Sequence, residues 1–402
     1  TNTGYKVNIY KQTTAGGDNY EKTEVTRNDG TTDSPINVAK SGTGVTINDV
    51  TYAFDGFRYN AGKFATNKTD NSTVVVADGS LVVQVYFDRI PYTLTIDKQE
   101  GVTSVKVNDV EFTTGEFLYG ASIKIDVTVS EGYRWGNFAV SGTEPTGFDA
   151  SALSQTVTMG LGNATLTAQA TIRSFTLTID PAGGLYGDSA DEFEVTQNYG
   201  STYAVLSPTR EGYAFTGWSK SADFKGNLEE NENGSVYTFG AGNDTLTATW
   251  KVNRYKVTLD LNDVVAGNGT TAATSSVGTV NNGKVELYVT YGTGYSEMFI
   301  NASETESETA YSIDDITIAR EGYTFKGFYT VRNLLGTESV TGEKIDADTA
   351  FATANNETVL YAYWTAKTVQ VHIANFSGGA YEGSVMGSDT CLLYTSPSPR
   401  DS

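Results

Sequence analysis

The phrase Arg210-Glu-Gly-Tyr-Ala-Phe-Thr-Gly-Trp218 returns as Arg320-Glu-Gly-Tyr-Thr-Phe-Lys-Gly-Phe328, and a looser copy, Glu131-Gly-Tyr-Arg-Trp-Gly-Asn-Phe138, precedes both. Repetition at domain-scale spacing marks a tandem array of small units, each burying its own core. Such arrays serve as spacers or as binding surfaces, which shifts the question from one active site to what the repeat builds.

Each unit opens on a strand of one design. Tyr92-Thr-Leu-Thr-Ile-Asp97, Phe175-Thr-Leu-Thr-Ile-Asp180 and Tyr255-Lys-Val-Thr-Leu-Asp260 put an aromatic and two aliphatics on one face and Thr, Lys and Asp on the other. That period of two predicts a half-buried β-strand. Closing strands recur as Leu246-Thr-Ala-Thr-Trp250 and Leu360-Tyr-Ala-Tyr-Trp364, with Leu166-Thr-Ala-Gln-Ala170 as a weaker version. A further start, Val369-Gln-Val-His-Ile373, opens a unit that does not finish. In the central phrase, Glu-Gly supplies a turn in which Gly212 or Gly322 takes positive φ. Tyr213 and Phe215 then share a face, Gly217 lets the chain bend, and Trp218 anchors the core. Residues 5–89 form a different unit, opened by Tyr5-Lys-Val-Asn-Ile9 and closed by the strand that ends Val-Tyr86-Phe87-Asp88-Arg89. No sustained helical periodicity appears; residues 313–318 and 346–354 are the places for a short helical turn.

The phases divide the 402 residues into units at 1–90, 91–172, 173–252 and 253–366, a stub at 367–390, and a tail at 391–402. The tail begins Cys391-Leu-Leu-Tyr-Thr-Ser-Pro-Ser-Pro-Arg-Asp401, breaks the repeat, and resembles the translation of a sequencing adapter. It holds the sole cysteine, so the rest of the chain has none. Net charge is −21, which disfavours nucleic acid and anionic membranes. No apolar run approaches the ~20 residues that span a bilayer. Connections between units are a few residues long and lack Gly/Ser-rich or Pro-rich linkers. An extended, semi-rigid, monomeric rod is expected. With ~30 Å per unit, four in line reach about 120 Å. Every connection carries a cation (Arg89, Arg173, Arg254, Lys367), which reads either as an ordinary charged strand end or as a partner for carboxylates of the neighbouring unit.

Chemistry is sparse. His372 is the sole histidine and falls on the polar side of a strand. A Ser-His-Asp or Cys-His site would require it. Zinc needs several His or Cys ligands, and no phosphate-binding Gly loop precedes a helix. No catalytic residue, cofactor or metal is expected. Asp314-Asp315, Asp346 with Asp348, and Asn262-Asp263 are short acidic clusters, none with the twelve-residue Ca²⁺ pattern. Tyr361 and Tyr363 occupy the face where the preceding unit has Thr247 and Thr249. They are the candidate partner-contact residues, as exposed tyrosines on a strand, or they pack on the insertion that lengthens their unit. That insertion, around 262–312, ends in the polar run Asn301-Ala-Ser-Glu-Thr-Glu-Ser-Glu-Thr309 and reads as a solvated loop.

Taken together, Phe175–Asp180, Gly183-Gly184, Tyr199-Gly200, Thr209 through Trp218 and Leu246 through Trp250 resemble the Listeria–Bacteroides repeat, or internalin-type B repeat. Residues 255–364 resemble it with an insertion and Phe328 in place of Trp. Residues 92–170 are a divergent copy, without the Arg before Glu-Gly and with Ala170 for the closing Trp. Residues 5–89 resemble a mucin-binding-type companion repeat. The resemblance implies mainly β, β-grasp-like (ubiquitin-like) modules of a secreted or wall-anchored bacterial surface protein, with no transferable catalytic residues. The expected function is a stalk or adhesive array that meets host or matrix protein or glycan through weak multivalent contacts. The alternatives are the accessory region of a secreted peptidase or glycan hydrolase, and a carbohydrate-binding array.

Overall fold

The computed structural model describes residues 2–231, 234–262, 273–303, 308–334, 339–370, 376–377, 380–381 and 390–392. It is a mainly β chain of small sheet modules in tandem. In every module the first and last strands lie side by side and parallel. Asn2–Gln12 pairs with Val82–Arg89, Pro91–Lys98 with Ala164–Ile172, Ser174–Asp180 with Asp244–Val252, and Arg254–Asp260 with Thr358–Ala366. The second strand of each sheet flanks the first, antiparallel: Tyr20–Thr31, Thr114–Leu118, Phe193–Asn198 and Lys284–Thr290. The strand that follows the Gly turn flanks the last, also antiparallel: Phe57–Tyr59, Tyr133–Gly142, Tyr213–Lys220 and Tyr323–Tyr329.

A parallel pair needs a long crossover, and here each crossover folds into a second sheet, with fewer strands than the first in all but the second module. In the first module that sheet is Val38–Lys40, Gly44–Ile47 and Val50–Ala53; in the third it is Thr202–Val205, Gly234–Thr238 and Asn227–Asn231. Among the described residues four separate cores lie between the paired sheets, one per module. The third gathers Leu177, Ile179 and Leu246 from the main sheet and Val205, Leu228 and Tyr237 from the small one. The alternation of the first strands is what places these side chains inward. Of the two places for a helical turn, Ile313–Asp315 forms a 3₁₀ turn, whereas residues 346–354 follow the strand Lys344–Ile345 without a helix.

A bulge explains the central phrase. Tyr213 and Phe215 share a face by alternation, but Trp218 has the wrong parity to join them. The register slips between Phe215 and Gly217, where Gly217 has φ 133°, so Trp218 returns to the same face. The slip recurs between Phe325 and Gly327 and between Trp135 and Asn137. In all three modules the two aromatics bracketing it meet edge to face at 5.1 Å: Phe215–Trp218, Phe325–Phe328 and Trp135–Phe138. The closing tryptophans pack behind them. Trp364, 1% exposed, donates its indole N–H to Leu261 O at 2.8 Å, and Trp250 donates to Pro181 O at 3.1 Å. A Cβ on Gly184 would meet the Trp250 ring, which is why that turn carries glycine.

Parallel first and last strands have a directional consequence. The chain enters a sheet at one pole and leaves at the other. In the third module Leu177 is level with Asp244, while the strands run from Ser174 and to Val252. Entry and exit are therefore separated by roughly 35 Å along the strand direction at ~3.3 Å per residue. Successive modules join pole to pole.

Candidate functional surfaces: the module joints

The flanking strands, being antiparallel, bring one loop to each pole. The second strand ends beside the start of the first, at the entry pole: Asn198 is level with Ser174. A Tyr-Gly pair follows it, and Gly200 at φ 78° closes the turn. The strand after the Gly turn begins beside the end of the last strand, at the exit pole: Tyr133 is level with Ile172. The Gly turn of one module thus faces the Tyr-Gly loop of the next.

They meet in the same way at three successive joints. A Cβ on Gly56, Gly132 or Gly212 would overlap the ring of Tyr119, Tyr199 or Tyr291 respectively. Each tyrosine also stands edge-on to the aromatic after the glycine, with centroids 6.1 Å apart: Phe57–Tyr119, Tyr133–Tyr199 and Tyr213–Tyr291. Such a pair contributes about 0.5–1.5 kcal/mol beyond area burial. One connecting residue fixes both partners through its backbone. Ile90, Arg173 and Asn253 donate their N–H to Gly56 O, Gly132 O and Gly212 O at 2.8, 3.0 and 2.9 Å. Their own carbonyls accept from the N–H of Tyr119, Tyr199 and Tyr291 at 2.9, 2.9 and 3.0 Å. The Tyr-Gly loop is tied to its own module as well, since Gly120, Gly200 and Gly292 donate to Met159 O, Phe239 O and Phe351 O.

Arg89, Arg173 and Arg254 do not follow the reading in which a connecting cation pairs with a carboxylate of the neighbouring unit. Arg89 donates from Nη1 to Tyr119 O at 2.5 Å and from Nε to Gln12 O at 2.8 Å, and it lies over the rings of Phe57 and Tyr119. Arg173 donates to Glu131 O at 3.3 Å and covers Phe175. Backbone carbonyls on both sides of the joint are the acceptors, and a planar guanidinium reaches them while stacking on the aromatics. Arg254 does find a carboxylate, Glu308 at 2.5 Å, but within its own module; the pair is nearly buried and ties the inserted segment to the joint strand.

The two predicted contact tyrosines part company. Leu360, Ala362 and Trp364 face the core, so Tyr361 and Tyr363 face outward from the sheet. Tyr361 is half-buried. Tyr363 is 5% exposed and lies edge-on to Tyr329 at 5.6 Å, so of its two readings, exposed contact or packing, it follows packing. Tyr329, on the adjacent strand and the same sheet face, lies against it.

The acidic clusters fasten loops. Asp314 Oδ2 accepts from Ala347 N at 3.2 Å, and Asp346 Oδ1 accepts from Thr349 Oγ1 at 2.9 Å. Asp260 Oδ1 accepts from Asn262 N at 2.8 Å; Asp263 lies outside the described residues. Among the described residues no group of three or more His, Cys, Asp or Glu is placed to hold a metal ion. No helix among them is long and apolar enough to cross a membrane. His372 and residues 393–402 lie outside the described residues.

Two fastenings went unread in the sequence. Asp244, 2% exposed, accepts from Lys225 N at 2.7 Å, Gly226 N at 2.6 Å and Tyr237 Oη at 2.5 Å. This bond and burial hold the Tyr237 hydroxyl far above its ordinary pKa, with burial the larger cause. The asparagines Asn163, Asn243 and Asn356 each accept the N–H of a first strand: Thr93, Thr176 and Lys256 at 2.9, 2.9 and 2.8 Å. The signal is a recurring Asn just ahead of the closing strands of the last three modules. Arg210 and Arg320, in the repeated phrase, cap the turn after the first strand by donating to Ala182 O and Asn262 O.

No family model matches this chain. A Gly-rich membrane protein of Evansella cellulosilytica is 26% identical over 196 residues, which is 48% of this chain and 18% of that relative. The chain thus spans less than a fifth of that relative's length. Among solved structures, the Bacillus anthracis TIE protein aligns over 90% of this chain and 66% of its own, at 12% identity and a TM-score of 0.31.

Proposed function

We propose that this chain is the repeat region of a secreted or wall-anchored bacterial surface protein, a stiff stalk that also presents its module faces in series. The observation that carries the reading is the joint, built three times from one glycine, one tyrosine and one connecting residue with the same two backbone hydrogen bonds. A chain of independent beads has no need of such a device. A spacer that must hold direction does.

In this reading the modules are β-grasp-like, since a parallel first and last strand flanked by two antiparallel strands is the sheet of that fold. They belong with the internalin-type B repeats, the first with mucin-binding-type repeats, and none performs catalysis. Adhesion is weak per module and gains from repetition, because linked sites raise each other's effective concentration. Small-angle X-ray scattering on the full chain tests the stalk. A maximum dimension of about 120 Å or more is expected for four ~30 Å modules in line. A compact particle would overturn it.

A further inference from the structure

The exit pole of the fourth module carries the same turn as the other three. Glu321-Gly322-Tyr323 repeats Glu131-Gly132-Tyr133 and Glu211-Gly212-Tyr213. Gly322 has φ 79°, as does Gly212. The connecting residue is also in place: Lys367 donates its N–H to Gly322 O at 2.9 Å, as Ile90, Arg173 and Asn253 do to their glycines. One component differs. Among the described residues nothing lies within 4 Å of the position a Cβ would take on Gly322. The edge of Tyr323, half-buried, is the counterpart of the edges that Tyr119, Tyr199 and Tyr291 approach.

We propose that Gly322, Tyr323 and Lys367 form the receiving half of a fourth joint, and that its partner is the Tyr-Gly loop of a further module of this kind joined through Lys367. The inference rests on the reading of the chain as an in-line array. The backbone selects the occupant. In each filled joint the residue that donates to the glycine carbonyl accepts, at its own carbonyl, the N–H of the incoming tyrosine. Lys367 O stands in that role at the fourth turn. A loop reaches it in register when its own first strand continues from Lys367, because the second strand then returns the Tyr-Gly pair to the entry pole. The surface is small: a glycine without a side chain and the ring of Tyr323, over which the Arg320 guanidinium lies at 4.8 Å.

The test replaces residues 368–402 of the full chain with a second copy of residues 174–252, so that Lys367 stands where Arg173 stands in the second joint. Glycine-selective labelling then reads the Hα resonances. A proton pressed against a ring face moves upfield, so Gly56, Gly132 and Gly212 are expected upfield of ordinary glycine values in both proteins. Gly322 is expected among the upfield set in the extended protein. Tyr199→Ala in the appended copy alone returns it to the ordinary value. Two results overturn the proposal: a Gly322 resonance at the ordinary glycine value beside the folded copy, or one that stays upfield when Tyr199 of the copy is replaced by alanine. Scattering separates this from the stalk reading, since an elongated particle with Gly322 at the ordinary value sinks only the fourth joint.

Discussion

The ring of Tyr199 occupies the space that a Cβ on Gly132 would fill, and the two residues belong to consecutive modules. Gly132 differs from Gly56 and Gly212 in that its φ lies outside the left-handed region. Alanine is therefore conformationally acceptable there within its own module, and the only penalty is the collision with the neighbour.

Gly132→Ala is accordingly expected to open the second joint and leave both modules folded. Module stabilities should change by less than about 1 kcal/mol, the range of substitutions outside a core. The connection around residues 172–174 should become several-fold more sensitive to proteolysis. Wild-type resistance in this variant would show that the ring contact does not hold the joint closed.

Asp244→Ala removes the acceptor of two backbone N–H groups and the Tyr237 hydroxyl. Unsatisfied buried donors cost about 1–3 kcal/mol each, so the third module should lose roughly 3 kcal/mol or more. Tyr237→Phe should cost about 1 kcal/mol. Chemical denaturation followed by Trp218 and Trp250 fluorescence reads this module, and equal losses for the two variants would count against the assigned geometry.

Burial pushes Tyr59, Tyr186 and Tyr295 from 10.0 up to about 12. The folded state then holds protons that the unfolded chain releases between pH 10 and 12. Stability is thus full below pH 10 and falls across that window, by about 1 kcal/mol per tyrosine at pH 11. The buried core of the second module contains no tyrosine, so it should keep its strands longest. Melting curves between pH 9 and 12 check the order, and Tyr186→Phe should flatten the loss in the third module. A second module that melts first on alkalinisation would contradict the scheme.

Tyr363→Ala should cost the fourth module about 2–3 kcal/mol, because a covered ring is removed. Tyr361→Ala should stay within about 1 kcal/mol. A glycan-retention assay on Tyr361→Ala then isolates the half-buried ring as a contact. Unchanged retention in that variant removes sugar binding at this face.

The sequence made the strands legible because each first strand alternates strictly, and the closing Leu-x-Ala-x-Trp strands recur. The parallel pairing of first and last strands was not legible, since periodicity records which face is buried and says nothing of which strand lies alongside. Trp218 was read as a core anchor, but the bulge that returns it to the face of Phe215 depends on register, which only a partner strand defines. Tyr199-Gly200 stood in plain view as a repeated pair. Its role stayed hidden because its contact lies in another module. Tyr363 was left with two readings for a related reason: its outward parity is real, and its cover comes from Tyr329 on the adjacent strand.

The parallel pairing has a mechanical meaning. A load applied between the entry and exit poles of a module pulls its first and last strands in opposite directions along their length. Their hydrogen bonds then carry the load together and fail in shear, where a hairpin pulled from one end would unzip bond by bond. A chain of such modules under tension would therefore yield first at its joints, by bending, and only later by unfolding a module.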